Sequence, residues 1–374
     1  MHPKYLTSIS ELDNLVGLAP KAREKMETVT ELFPFRANEY YLSLIDWKDG
    51  HDPLKRIVIP DSCELKPGGS ADPSCEKEYT GEPWPQNNDD QTGILLLTDL
   101  CGGICRFCFR KRLFLSCERE TVRDVSENIA YIREHRELTS VLLTGGDPLM
   151  LETPRLESVL RELREISHVN SIRIGSKMLA YNPYRILNDK DLLSVFSRYS
   201  TPEKRIYVMA HFNHPRELTD VSIQAAEALR KAGVVVVSQT PILNGINDNP
   251  GTLTSLFHKL SFAGISPYYV FQCSPGAGNQ FFQVPVEESY EILQKSWQAC
   301  SGLAKRARFV MSHATGRIEM VGKTADHVFM RYHQARDSAN SGKFMVFKSN
   351  PVARWFDDYR HALTDFEPKT FWLF

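Results

Sequence analysis

The sequence predicts an α/β protein built as a partial, open (β/α)6 barrel, and three observations point there. From residue 93 onward, short apolar or β-branched runs alternate with longer segments of helical periodicity, the pattern of repeated βα units feeding a parallel sheet. The runs are almost wholly apolar, as strands covered on both faces are. They number six, short of the eight of a closed barrel, so the sheet stays open; a doubly wound sheet is the alternative.

Residues 1–92 precede this pattern as an extension expected to wrap the barrel. It holds a helical segment around 21–33, then "FPFRANEYYLSLIDWKDGHDP", then a loop-rich stretch dense in Pro, Gly and Asp that ends in "GEPWPQNNDDQTG". The barrel spans 93–316. Its strands are expected at "GILLLT" (93–98), "SVLLTG" (140–145), "SIRIGS" (171–176), "RIYVMA" (205–210), "VVVVSQ" (234–239) and "PYYVFQ" (267–272). Helical segments between them include 121–135, 218–233, with Gly233 as the residue just past the helix end, and 285–300. After "ARFVMS" (307–312), the run "GRIEMVGKTADHVFMRYHQ" reads as a β-hairpin, and 317–374 is taken as a C-terminal hairpin and tail. The tail "ARWFDDYRHALTDFEPKTFWLF" is rich enough in aromatics to pack on its own domain or to dock on a partner.

Composition narrows the class. With 45 basic and 46 acidic side chains and a net charge of −1, nothing suggests a nucleic-acid partner. No run of about eighteen apolar residues is present, and "MHPKYLTSISELDNLVG" has neither the apolar centre of a signal peptide nor an Arg-rich transit pattern, so a cytoplasmic protein with no membrane association is expected. Eight cysteines in 374 residues, five of them isolated (Cys63, Cys75, Cys117, Cys273 and Cys300), do not form a disulfide framework.

The other three are concentrated in "LLLTDLCGGICRFCFRKR", at Cys101, Cys105 and Cys108. Three thiolates on one short loop can ligate three irons of a [4Fe-4S] cluster and leave the fourth iron open. A zinc site completed by a distant His is the alternative, although no second CxxC occurs. The loop follows the first strand at its carboxyl end, where barrel active sites lie, and Phe107 precedes the last cysteine. At the end of the second strand stands "LLTGGDPLM", whose Gly145 and Gly146 let backbone approach a ligand closely and whose Asp147 can accept hydrogen bonds from an ammonium.

The CxxxCxxC loop and the GGDP turn together resemble the radical S-adenosylmethionine (SAM) superfamily. The resemblance implies that SAM chelates the open iron, and that its reductive cleavage gives a 5′-deoxyadenosyl radical, with the electron drawn from a donor such as a flavodoxin or ferredoxin. Over residues 30–335, the segments "FPFRANEYYLSLID", "CRFCFRKR", "LLTGGDPL", "IRIGSK", "HFNHPRELT", "AGVVVVSQTPILNGIND" and "PYYVFQCSPGAG" are similar to those of the lysine 2,3-aminomutase family, which joins this chemistry to pyridoxal 5′-phosphate (PLP). The resemblance implies cluster binding by Cys101, Cys105 and Cys108, and SAM contacts from Gly145, Gly146 and Asp147, with Phe107 alongside. It implies a substrate carboxylate on Arg110, whose planar fork suits that task, the alternative being a solvated member of "RKR". Ser176, His211, Asn213 and Gln239, at or near later strand ends, are expected to contact SAM or substrate. A homo-oligomer is compatible with the family.

The departures redirect the chemistry. The family's PLP lysine sits in a "PGGGGK"-like segment where this chain reads "HATGR", and an upstream arginine that helps hold PLP is replaced within "NNDDQTG". The nearest lysine, Lys323, falls in the hairpin turn. The carboxylates that receive lysine's distal ammonium fall at Ser274 and Ser312, which disfavours lysine as substrate. A zinc-binding cysteine of some relatives is Asn249 here, so no zinc is expected. The sequence therefore favours a PLP-free radical SAM enzyme acting on a small, amino-acid-like, carboxylate-bearing molecule, with Ser312, His313, Thr315 and Arg317 of "SHATGR" as polar substrate contacts. The alternatives are a PLP-dependent aminomutase for another amino acid, using Lys323, and a non-catalytic iron–sulfur redox protein with Cys117 as a fourth ligand.

Overall fold

Seven segments of the chain pair side by side and in parallel: β1 (Thr92–Thr98), β2 (Ser140–Gly145), β3 (Ser171–Ser176), β4 (Ile206–His211), β5 (Val235–Ile242), β6 (Ser266–Gln272) and β7 (Arg308–His313). The computed structural model describes residues 2–76, 86–89, 91–115, 121 and 124–363. Six crossover helices return the chain between these strands: α1 (Ser126–Glu134), α2 (Thr153–Arg164), α3 (Lys190–Tyr199), α4 (Asp220–Lys231), α5 (Pro250–Phe262) and α6 (Val286–Gln298). The expected partial (β/α)6 barrel is what the chain builds, and the segment read as "RFVMS" adds a seventh parallel strand, with Arg308 opposite Tyr269 of β6.

Local chemistry explains the element boundaries. Thr219 caps α4 by accepting from Ser222 N, and Gly233, at φ 82°, turns the chain left-handed just past its end. Asn249 caps α5 through Thr252 N at 2.9 Å. The strands are less uniformly buried than their apolar runs suggest. β1 is buried along its whole length, whereas β3 and β5 alternate buried and half-buried residues. On β5 the half-buried set includes Gln239 and Pro241, which face a cavity at the carboxyl ends of the strands.

Beyond β7 the sheet changes character. A two-residue turn, Ala314 and Thr315, sends the chain back as β8 (Gly316–Lys323), followed by β9 (His327–Ala335) and β10 (Phe344–Lys348), all antiparallel. The hairpin expected from "GRIEMVGKTADHVFMRYHQ" is β8–β9, and β10 is an added strand. With Gln86–Asp89 antiparallel to β1 at the other edge, one eleven-stranded sheet results. Ala353, Trp355 and Tyr359 pack into the main core, while residues 364–374 of the aromatic tail lie outside the described residues.

The extension forms a second apolar cluster against the carboxyl ends of the strands. Its helix Pro20–Leu32 matches the expected segment, and Leu54, Ile57, Tyr41 and Phe35 pack with Phe107 and Cys273. Among the described residues no helix is long and apolar enough to cross a membrane.

Candidate active site

The cysteine loop leaves β1 and is held by the extension. Ile104 N donates to Arg36 O and Arg106 N to Ile57 O, both at 2.9 Å. Asn38 Nδ2 donates to Gly102 O and Tyr181 O, each at 2.9 Å, and Asn279 Nδ2 to Phe107 O at 3.0 Å. Arg106, only 1% exposed, is fixed by Glu64 at 2.8 Å and by the carbonyls of Pro34 and Phe33. Lys111 gives its ammonium to Ala277 O at 2.9 Å and lies near the same Glu64; burial pulls its pKa down to about 8.

The loop so fixed turns Cys101, Cys105, Phe107 and Cys108 into a cavity of about 300 Å³. Burial raises the pKa of all three thiols, Cys105 to about 12, so the charge that makes them ligands comes with the metal they bind. Tyr181 OH lies 3.0 Å from Cys105 Sγ. Among the described residues no three His, Cys, Asp or Glu side chains gather as a single ion needs. Three thiols spread along one cavity wall fit the three protein ligands of a cluster with an open iron. Cys273, one of the isolated cysteines, lines the same cavity, its thiol pushed up to about 12 by burial; Cys117 lies outside the described residues.

The GGDP turn sits beside this loop, and its glycines answer to protein backbone. Gly146 N donates to Thr98 O at 2.6 Å and Asp147 N to Leu100 O at 2.7 Å. A Cβ at Gly145, where φ is 113°, would stand 2.5 Å from Thr98 O, and one at Gly146 would stand 2.3 Å from Leu100 O. Both residues still border the cavity. The Asp147 carboxylate is largely engaged: it accepts from Ser176 Oγ (3.0 Å), Lys177 N (2.8 Å) and Leu149 N (3.0 Å), while burial lifts its pKa to about 6. Ser176, expected to touch a ligand, borders the cavity and donates its hydroxyl to Asp147, tying the GGDP turn to β3.

Arg110 is buried, as are Lys111 and Arg112, which excludes the solvated alternative. Its fork is met by the protein itself: Nε and Nη2 bind the Glu76 carboxylate at 3.0 and 2.8 Å, and Nη1 binds Thr144 Oγ1 at 2.8 Å. Arg112 adds a 2.7 Å bond to Glu76. Glu76 lies on a strap of the extension that crosses the mouth: Ser70 pairs with Gly276, Asp72 meets Arg112 at 3.1 Å, and Ser74 Oγ donates to Ser312 O at 3.1 Å.

The later strands divide the remaining candidates. His211 and Gln239, register partners on β4 and β5, line the cavity, and burial followed by the nearby Lys177 charge holds His211 neutral. Asn213 does not line it. Asn213 is wholly buried and accepts from Lys177 Nζ at 2.7 Å, beside a 2.7 Å ion pair between Lys177 and Glu217 that Tyr41 OH completes at 2.7 Å. Lys177 is the one lysine lining the cavity among the described residues. Sequence alone singled out none of Lys177, Glu217, Tyr181 or Glu76.

Ser274, Ser312, His313 and Arg317 form the wall opposite, and Ser312 and Arg317 are register partners across β7 and β8. His313 is tied to Thr315 Oγ1 at 2.8 Å and to Asp357 at 3.1 Å. Lys323 is not in this wall or in the turn. It ends β8, seven residues from Gly316 and so roughly 20 Å along the strand, paired with Glu291 at 2.5 Å and Glu287 at 3.1 Å.

Residues 95–254 match the family model "Radical SAM superfamily". A protein of Aquifex aeolicus named "Putative L-lysine 2,3-aminomutase" is 50% identical over 365 residues, 97% of this chain and 98% of that one. The glutamate 2,3-aminomutase of Clostridioides difficile is 32% identical across 87% of this chain and 78% of its own length. The L-lysine 2,3-aminomutase of Acetoanaerobium sticklandii is also 32% identical, covering 77% and 69%. The cysteine loop and the GGDP turn meet at the mouth of an open barrel within the matched residues, and with similarity to these relatives along most of its length the chain belongs to the lysine 2,3-aminomutase-like family of radical SAM enzymes.

Proposed function

We propose that this radical SAM enzyme works without PLP and opens its reaction by abstracting a hydrogen atom from a small, amino-acid-like substrate that carries a carboxylate. Cys101, Cys105 and Cys108 would hold a [4Fe-4S] cluster, which when bound would supply the electron for the reductive cleavage of SAM. The protein's own part is placement and exclusion of water: the strap from Ser70 to Glu76 covers the mouth, and neutral His211 with Gln239 offers hydrogen bonds without net charge.

One observation carries the PLP-free assignment. Lys177, the cavity's lysine among the described residues, has its ammonium caged by Glu217, Asn213 and the His211 carbonyl, and Lys323 is at the other end of β8. A PLP-dependent aminomutase for a substrate other than lysine is the alternative, favoured by the glutamate enzyme among the relatives. Ser274 and Ser312 in the cavity wall leave a distal ammonium without a carboxylate, which supports a substrate other than lysine. Asn249, which caps α5, supports a reading without zinc. A flavodoxin or ferredoxin as electron donor and a cytoplasmic location complete the proposal.

The deciding experiment treats the anaerobically reconstituted enzyme with PLP and borohydride and maps adducts by peptide mass. No phosphopyridoxyl adduct, with 5′-deoxyadenosine formed from SAM, is the expected result. A stoichiometric adduct on Lys177 or Lys323 overturns it.

A further inference from the structure

Arg110 meets in Glu76 what a bound acid would offer it. The carboxylate lies against Nε and Nη2, the edge by which a guanidinium takes a carboxylate in two parallel bonds, at 3.0 and 2.8 Å. Nη1 is held by Thr144 Oγ1 at 2.8 Å, so β2 keeps the fork aimed whether or not Glu76 is in it. Among the described residues Glu76 and Asp147 are the two carboxylates lining the cavity, and Asp147 is bound by Ser176, Lys177 and Leu149. Three arginines line it. Arg317 gives Nη1 to Gln334 Oε1 at 2.8 Å and rests on the Tyr269 ring, and Arg336 gives Nη1 to Ala314 O at 2.6 Å. Those two turn donors to the hairpin, whereas Arg110 turns its fork to the strap.

Glu76 has a second cation to go to. Arg112 binds the same carboxylate at 2.7 Å and is itself anchored by Asp72 at 3.1 Å. An acid taking the edge of Arg110 leaves Glu76 paired with Arg112, so one carboxylate replaces another and no buried charge is stranded. The backbone leading to Glu76 is held against its preference: Cys75, at φ 49°, is the one non-glycine residue in the left-handed region among the described residues. Release of Glu76 gives that residue a way to relax.

We propose that Glu76 is an internal stand-in for the substrate's carboxylate, holding the fork of Arg110 before substrate binds and passing to Arg112 when an acid arrives. This rests on the acid-substrate reading above and takes Arg110 as the seat of the acid. Glu76 is then a positioning residue that keeps the strap closed and yields to a carboxylate, while a molecule without one meets a site already paired. The exchange lowers the apparent affinity, because the acid competes with a carboxylate in place.

The test titrates propionate into the full-length, cluster-loaded enzyme with SAM bound, under anaerobic conditions, followed by saturation-transfer NMR. Glu76→Gln removes the competitor and is expected to tighten propionate by about tenfold. Glu76→Asp keeps the charge on a shorter arm and is expected to fall between; it carries the comparison if the glutamine variant loses its cluster. Arg112→Gln removes the second partner and is expected to weaken propionate by about fivefold, yet to change it by less than about twofold once Glu76→Gln is present. A merely structural role would not produce that coupling. Affinity that fails to rise in both Glu76 variants, or an Arg112 effect that persists without Glu76, overturns the proposal. So does propionate that is indifferent to Glu76 and lost with Arg317→Gln or Arg336→Gln, since the acid then sits on the hairpin. Propionate bound by no variant overturns the acid-substrate reading along with the exchange, whereas binding that ignores Glu76 overturns the exchange alone.

Discussion

The Glu76 carboxylate takes both Nε and Nη2 of Arg110, at 3.0 and 2.8 Å, thirty-four residues away in sequence. Burial alone would raise its pKa, but the charges and hydrogen bonds of Arg110 and then Arg112 outweigh that and bring it from 4.5 to about 2. The strap is therefore fastened by charge at every pH where the enzyme works.

Acid should loosen that fastening in a defined window. The folded pKa of Glu76 lies below its unfolded value of 4.5, so its contribution is complete above that pH and fades as pH falls toward about 2. The full contribution is about 3 kcal/mol. Urea unfolding of the cluster-free chain and of Glu76→Gln should show a stability gap that narrows by about 1 kcal/mol between pH 7 and pH 3.5. A gap independent of pH would sink the assignment.

Alanine at the two glycines of the GGDP turn should displace the cysteine loop. The added methyl meets Thr98 O or Leu100 O at 2.5 or 2.3 Å, backbone atoms with little freedom to yield. A loss of about 1–3 kcal/mol is expected for each, together with reduced iron content after reconstitution. Gly175→Ala is the control: its methyl would lie 3.5 Å from Thr144 Oγ1, and it should be stable to within about 0.5 kcal/mol.

Lys177→Met should be costly because it strands a buried carboxylate. Glu217 would keep Tyr41 and backbone amides but lose its counter-ion, a loss of about 3–5 kcal/mol by denaturant unfolding. Adding Glu217→Gln should restore part of it. If the double variant is no better than the single, the pair is not the source.

Tyr181→Phe removes the hydroxyl beside Cys105 Sγ and leaves the edge-on packing of the ring against Tyr41. Three cysteines should still assemble the cluster, at a stability cost of about 1 kcal/mol. Its reduction potential, followed by spectroelectrochemistry, should become more negative, since a hydrogen bond to a ligating sulfur favours the reduced state. An unmoved potential would place the hydroxyl elsewhere when iron is bound.

The strands and the cysteine loop were legible because their signals are local. The runs expected at 93–98 and 205–210 became Thr92–Thr98 and Ile206–His211, and the loop's spacing needed no partner to be recognised. What escaped was polar pairing at long range. Glu76 stands in a glycine-rich polar stretch with no period, and nothing near Lys177 announces a glutamate forty residues on. The glycines of the GGDP turn were identified for a contact with ligand, whereas the tightest contact is with the loop before them. Neighbouring strands bring such atoms together, and strand neighbours are a property of topology.

The two-residue turn between β7 and β8 makes one wall of the pocket a hairpin, where the other walls are loops leading to helices. Loops absorb insertions; a hairpin counts them. Ser312 stands opposite Arg317 and His313 opposite Gly316, so one residue added within β7 or β8 would turn the side chains beyond it from the cavity to the outer face. Recognition at this wall is written in strand parity, and variants of this chain that change substrate by way of it are expected to do so by exchanging side chains while keeping the length of 312–317 fixed.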